Sequence, residues 1–191
     1  MDTKQDEFDT RLAARLKAER EGRGWSLAEL AERAQVSKAM ISKLERGESS
    51  PTAALLGRLS GALGLTLSQL MARCEASAGP LQRRAEQASW RDPATGFTRR
   101  NLTPSGGEAT PLELVLGELP PAAAIAYPAS AFAFIDDQQI VVLQGRLRFT
   151  QGGTAYELAA DDCLRLGPPA PCEFRNPGRA LCRYVVAVLR R

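Results

Sequence analysis

The spacing of apolar positions changes character once along this chain. From residue 8 to 74 apolar side chains recur three and four apart, the period of one helix face. From 88 to 191 they form short alternating or continuous runs broken by Gly and Pro, the pattern of strands. Between them, "EASAGPLQRRAEQ" (75–87) is small and polar and reads as a linker. The expected organisation is a helical domain over 1–74, a linker over 75–87 and an all-β domain over 88–191.

The first part contains starts and stops for five short helices. Phe8, Leu12 and Leu16 share one face of the first, which breaks at Gly22 to Gly24. Ser26 with Glu29 three residues on is a capping-box pattern opening the second, with Leu27, Leu30, Ala31 and Ala34 inward. After a turn of only "AQV", Ser37 is a natural N-cap for the third, where Met40, Ile41 and Leu44 are expected inward and Gly47 ends the helix. A fourth runs from Thr52 to Leu63, burying Leu55, Leu56 and Leu59, with Gly64 past its end. The fifth is opened by Thr66 with Gln69 and buries Leu67, Leu70 and Met71.

The second part predicts antiparallel strands at "QASWRD", "GFTRRNLT", "PLELVLGEL", "AFAFI", "QQIVVLQ", "RLRFTQ", "TAYELA", "DCLRLG", "CEFRN" and "ALCRYVVAVL", separated by turns such as "GG" and "NPG". This many short strands argue for a sandwich or barrel. Their register, and so the set of inward side chains, is left open by the pattern.

Composition sharpens this picture mainly by exclusion. At 191 residues and 44% hydrophobic, the chain has room for two small cores. A net charge of +3 permits contact with nucleic acid without requiring it, and residues 1–75 carry twelve Lys/Arg against eleven Asp/Glu, so attraction to DNA rests on local placement. The polar start "MDTKQDEFDT" lacks the apolar core of a leader, and no apolar run approaches the roughly 18 residues of a membrane span, so a cytoplasmic protein without membrane contact is expected. Cys74, Cys163, Cys172 and Cys182 form no Cys-x-x-Cys pair, and reduced thiols are the default. There is no histidine, which removes imidazole-based nucleophile activation, proton shuttling and His-ligated metal centres. No catalytic residue, metal or cofactor is expected.

A helix, a three-residue turn and a second helix form the helix-turn-helix arrangement. The stretch "WSLAELAERAQVSKAMISKLERGESSPTAALLGRLSGALGLTLSQLM" resembles the xenobiotic-response-element (XRE) type of that domain, related to the Cro and cI phage repressors, over about residues 9–73. The resemblance implies a five-helix lambda-repressor-like DNA-binding domain whose third helix enters the major groove of double-stranded operator DNA. One departure is Gln35, where many members have Gly at a turn position that can need positive φ; a side chain there costs about 1 kcal/mol. On helix geometry, Lys38, Ala39, Ser42 and Lys43 occupy the outward face and are the expected base-edge contacts, while Ser26, Ser37 and Arg46 suit phosphates.

The run "VVLQGRLRFTQGGTAYELAADDCLRLGPPAPCEFRNPG" resembles the small cupin, a double-stranded β-helix barrel, and "ASWRDPATGFTRRNLTP" with "LELVLGELPP" looks like the strands that precede it in cupins fused to this helix-turn-helix. The implied fold is multidomain, α followed by all-β. Metal-binding cupins draw two His and a Glu from one motif and a His four residues before the Asn of a second. Here the segment around Tyr127 holds no His, Gln138 stands about where the Glu would be, and Cys172 stands where the second-motif His would be, so the resemblance implies a barrel without the usual metal. Cys172 reads first as a small buried hydrophobe, and otherwise as an oxidant- or metal-sensing thiol with Cys163 or Cys182. Phe132, Phe134, Gln138, Cys172, Phe174 and Tyr184 are the expected lining of an effector pocket, with Arg146, Arg148 and Arg165 as anion partners where they face inward.

Three functions compete on these grounds. The leading one is a bacterial-type transcription regulator, a homodimer whose cupin domain dimerises and binds a small-molecule effector, with repression and activation equally open. A second is an enzyme, since one epoxidase lineage with this layout is similar and uses a non-haem iron held by two His and a carboxylate; the lack of histidine counts against it. The third is a barrel that clamps a dimer and holds no ligand.

Overall fold

A computed structural model describes residues 3–72, 80–87, 89–104 and 111–190. Five helices come first: α1 (Thr3–Gly22), α2 (Leu27–Ala34), α3 (Lys38–Glu45), α4 (Ala53–Ala62) and α5 (Leu67–Ala72). Phe8, Leu12 and Leu16 of α1 pack into one core with Leu30, Ile41, Leu44, Leu56, Leu59 and Leu70. The short helices are fixed by their ends. The Ser26 hydroxyl accepts from the Glu29 N–H at 3.2 Å while the Ser26 N–H donates to the Glu29 carboxylate at 2.7 Å. Ser37 caps α3 through the Met40 N–H, and Thr66 and Gln69 cap α5 reciprocally. Gln35 closes α2 at φ 53°, ψ 45°, a left-handed conformation held by its N–H on the Ala31 and Glu32 carbonyls.

Met40 departs from expectation. It is exposed, because Ile41 and Leu44 alone define the buried stripe of the two-turn α3. The orientation of α3 is set by a buried ion pair instead. Arg20 near the end of α1 donates twice to Glu45, at 2.7 and 2.8 Å, and once to the Trp25 carbonyl at 2.8 Å. The two side chains are only 11% and 6% exposed. The hydrogen bonds to Glu45 also hold the Arg20 pKa above its ordinary value.

The second part forms two antiparallel sheets. One has the order β1 (Ser89–Arg91), β2 (Thr98–Asn101), β3 (Leu112–Leu119), β10 (Cys182–Arg190), β5 (Ile135–Gln144), β8 (Cys163–Arg165); the other is β4 (Ala124–Tyr127), β9 (Cys172–Arg175), β6 (Arg146–Gln151), β7 (Thr154–Ala159). Their inner faces enclose Ile125, Ile140, Leu147, Phe149, Phe174 and Tyr184. Nine of the predicted strands are present. The tenth, "AFAFI", is instead a 3₁₀ turn over Ala129–Phe132 begun by Pro128, with only Ile135 entering a strand, and the unpredicted β4 lies just before it. Alternation of Ala and Phe was misleading because the turn packs against a helix, not a sheet. Residues 75–79 of the expected linker, and Cys74, fall outside the described residues; within 80–87 there is a 3₁₀ turn at Arg84–Glu86.

The helices dock on the open end of the barrel. α4 lies against β4 and the following 3₁₀ turn, and α1 touches β1. The approach is close enough that a Cβ on Gly61 would stand 2.7 Å from the Ser130 carbonyl oxygen, and one on Gly57 would stand 2.8 Å from the Tyr127 ring. Polar ties surround this contact: Arg99 Nη2 donates to Ser68, Thr66 donates to Glu113 at 3.5 Å, and the Ala53 N–H meets Asp92 at 3.4 Å.

Two stability outcomes follow. Gln35→Gly is expected to gain roughly 0.5 kcal/mol, the left-handed strain relieved less the greater freedom of an unfolded glycine. Gln35→Val should lose about 1 kcal/mol or more, since a β-branched residue tolerates that region worst. Glu45→Gln keeps the shape but leaves the buried Arg20 only the half-exposed Glu21 carboxylate at 3.2 Å as counter-charge, for a loss of about 2 kcal/mol or more. Denaturant midpoints at unchanged slope check all three.

Candidate functional site

Two features of the molecule are built for contact. The first is the outer face of α3. Lys38, Ala39 and Lys43 are exposed and Ser42 is half-buried, while Ile41 and Leu44 anchor the opposite side in the core. No acidic residue lies in the first turn of α3, and Glu45 is turned inward on Arg20, so its outward surface is basic. The hydroxyls of Ser26 and Ser37 accept helix N–H groups and keep their own protons for an acceptor outside. Arg46 bonds Ser42 and pairs with Glu48 at 2.6 Å, both partners half-exposed, and this contact raises the Arg46 pKa and lowers that of Glu48. Trp25 sits under Arg33, whose guanidinium carbon is 4.3 Å from the ring centroid, which steadies the loop before α2.

The second feature is a cavity of about 80 Å³ where the barrel meets the helices. Its barrel wall includes Phe97, Tyr127, Phe132, Phe174 and Tyr184, with Phe174 stacked on Tyr184 at 5.4 Å and edge-on to Tyr127 at 6.1 Å. Its roof is Gly57, Thr66, Leu67 and Ser68 of the helical part. Polar side chains reach it from Arg99, Glu113 and Gln138. Arg99, Gly117 and Tyr184 stand side by side across β2, β3 and β10, and the bare Gly117 gives the Tyr184 ring its place, since a Cβ there would lie 2.5 Å from it. Arg190 pairs with Glu113 at 3.0 Å, both nearly buried. A wider groove shares Phe132, Ile135 and Gln138 with the cavity and opens outward over Asp137, Arg165 and the 167–169 loop.

Of the expected pocket residues, Phe132, Gln138, Phe174 and Tyr184 line this cavity, and Cys172 is buried beside it, opposite Tyr127 in the β4–β9 register. Three do not. Phe134 is 41% exposed and lies near Gly64. Arg148 points outward to Glu157 because Leu147 and Phe149 take the inner positions of β6, and Arg146 follows the same alternation. Arg165 pairs with the Asp137 carboxylate at 2.9 Å on the outer groove, which raises the Arg165 pKa and lowers that of Asp137. Arg99 and Glu113 escaped the sequence reading: "TRRN" has no apolar residue whose alternation would tell Arg99 from Arg100, and Glu113 is a charged residue on an inward position of an otherwise apolar strand.

The cupin resemblance raises the question of a metal, and the donors answer it. Burial pushes the Cys172 thiol up to about 12 and the Tyr127 phenol well above its ordinary value, so both are protonated at neutral pH, and Gln138 is a neutral amide. Such a set does not fit a transition metal, which needs anionic or imidazole ligands. The same burial makes Cys172 and Cys182, the latter pushed up to about 11, poor nucleophiles toward oxidants.

Comparison with known proteins bears on both features. Residues 16–70 match the HTH_3 helix-turn-helix family model. The chain is 49% identical over 57 residues to the HTH-type transcriptional regulator SutR of Escherichia coli (strain K12), a match covering 30% of this chain and 32% of the relative, so the chain spans about a third of that protein. It is similar to the crystal structure of an HTH_3 family transcriptional regulator from Vibrio cholerae, with TM-score 0.77 and 25% identity over 98% of this chain and 99% of that one. The Cupin_2 domain of an XRE family transcriptional regulator from Enterobacter cloacae matches 50% of this chain and 97% of its own length at 18% identity and TM-score 0.44. Residues 16–70 thus match the HTH_3 helix-turn-helix model, and they are carried here in one chain with a C-terminal barrel of two antiparallel sheets.

Proposed function

We infer that this chain is a cytoplasmic transcription regulator that binds operator DNA as a homodimer, and that its barrel both joins the dimer and holds a small-molecule effector without a metal. The observation that carries the reading is α3: a helix whose inner side chains are locked while Lys38, Ala39 and Lys43 are exposed on the outside, with Ser42 half-buried among them and bonded by Arg46. That is the surface a reading helix offers to base edges, with lysine for guanine O6 and N7, Ala39 for a thymine methyl, and Ser42 for a base or phosphate. Ser26, Ser37 and Arg46 flank it as phosphate contacts. In this reading the chain performs no catalysis.

The second copy is assigned to the outer face of the six-stranded sheet. Leu112, Leu114 and Leu189 are 47%, 36% and 42% exposed on adjacent strands, continuous through Val185 and Val141 with Leu143. A contiguous apolar sheet face of this kind is costly to leave in water and matches the self-complementary surface of a two-fold dimer.

DNA from the gene's own neighbourhood is the test for the first inference. Affinity should fall steeply with salt, and Lys43→Ala should weaken it by about tenfold and relax the sequence preference at the base pair it reads. Equal affinity for any sequence, unaffected by Lys38→Ala and Lys43→Ala, would overturn the reading. For the second, Leu114→Asp should convert the dimer to monomer in light scattering, a loss of about 2 kcal/mol or more at the interface, with the melting of each protomer little changed.

A further inference from the structure

The groups around the cavity name the class of molecule it receives, given the reading of the barrel as an effector-binding part. Its surface is mostly apolar, which calls for a ligand with an apolar body. Its charged side chains already have partners. Glu113 pairs with Arg190 at 3.0 Å and accepts from the Thr66 hydroxyl at 3.5 Å. Arg99 donates to the Ser68 hydroxyl and to the Met71 sulfur at 3.6 Å, and has a further partner besides. An ion entering between these walls gives up hydration and finds no counter-charge waiting, so either sign of charge is disfavoured.

The uncommitted polar groups are neutral. Tyr184 is 2% exposed, and its hydroxyl lies over the bare Gly117, where a Cβ would stand 2.8 Å from it. Tyr127 meets edge-on, at 6.1 Å, the same Phe174 ring on which Tyr184 stacks at 5.4 Å, so the two phenols flank one wall. Neither hydroxyl is hydrogen-bonded among the described residues, and burial raises both pKa values, so each keeps a proton to donate. A buried hydroxyl without an acceptor is a standing cost that a ligand's lone pair relieves. A carbonyl oxygen offers two lone pairs and asks for no acceptor in return, while the aromatic walls favour a ring. Length is not limited by the cavity. Phe132, Ile135 and Gln138 also line the outer groove of about 470 Å³, into which the cavity opens.

We propose that the cavity binds uncharged molecules that carry a carbonyl group on an apolar ring, the carbonyl oxygen accepting from the Tyr184 and Tyr127 hydroxyls and the ring packing among the aromatic walls. A substituent on the far side of the ring leaves past Gln138, which shares the inner face of β5 with the buried Ile140 and Val142, and runs out into the groove. The paired charges set the boundary of the site, and the two phenols choose what it holds.

The experiment titrates the full chain by calorimetry with probes of nearly one shape: acetophenone, benzoate, 1-phenylethylammonium and ethylbenzene. Acetophenone should bind at millimolar concentration or better, at least about tenfold more tightly than the anion or the cation. Tyr127→Phe with Tyr184→Phe removes both hydroxyls and keeps both rings; it should weaken acetophenone by about tenfold and leave ethylbenzene unchanged or tighter. Tyr184→Phe alone should melt no lower than the parent, because the hydroxyl it removes has no partner in the protein. Benzoate or the ammonium bound as tightly as acetophenone overturns the uncharged class while leaving an effector site in the barrel. A ratio of acetophenone to ethylbenzene affinity untouched in the double variant, or a lower melting point in Tyr184→Phe, overturns the assignment of the phenols as ligand donors. Failure of every probe to bind overturns the proposal together with the effector reading, and the operator-binding test remains independent of all these outcomes.

Discussion

The contact between one face of α4 and the barrel rim is the constraint on which the rest of the molecule depends. Two missing side chains, at Gly57 and Gly61, let a helix backbone come to within touching distance of Tyr127 and Ser130. Polar ties surround that contact: Arg99 Nη2 donates to the Ser68 hydroxyl, the Thr66 hydroxyl to Glu113 at 3.5 Å, and the Ala53 N–H to Asp92 at 3.4 Å. Those polar contacts are reached because the helix is already close. The cavity roof, the burial of Arg99 and the position of the helical domain therefore share one cause.

From that contact a continuous set of packed groups leads to α3. α4 buries Leu56 and Leu59 in the core that also holds Leu12 and Leu16 of α1, and the last turn of α1 carries Arg20, whose guanidinium grips Glu45 at the end of α3. A buried ion pair is a poor source of net stability, because desolvation offsets its attraction. What it supplies here is direction: a two-turn helix with only Ile41 and Leu44 buried has little else to fix its rotation. The barrel solves a similar problem with a neutral group. Asn176 donates to the carbonyls of Leu119, Pro120 and Ala180 at 2.8 to 3.1 Å and so pins the turn between β9 and β10 to the end of β3.

Much of this was legible in the sequence wherever one local interaction decides the outcome. Ser26 with Glu29, Ser37, and Thr66 with Gln69 cap the helices they were expected to cap, and the left-handed Gln35 stands at the position where the resemblance pointed to one. What was not legible is decided by partners far along the chain. Met40 is apolar yet exposed, the Ala-Phe alternation of residues 131–135 lies mostly in a turn facing α4, and the cavity's charged members, Arg99 and Glu113, are distinguished from Arg100 and Arg148 only by strand parity. Single-residue register is beyond a pattern whose only period is two when the residues on both faces are polar.

Docking does not hide the outer face of α3, the surface proposed to meet DNA. Lys38, Ala39 and Lys43 are exposed while α4 and α5 sit on the barrel, so a regulator built this way has no need to uncover its reading helix. In a dimer joined through the outer sheets, the separation of the two α3 helices is set by how each helical domain is seated on its own barrel. Half-sites one DNA turn apart demand a spacing of about 34 Å between the paired helices. The close seating of α4 on the barrel rim fixes where α3 stands relative to the outer sheet face, and in the proposed dimer that seating sets the spacing.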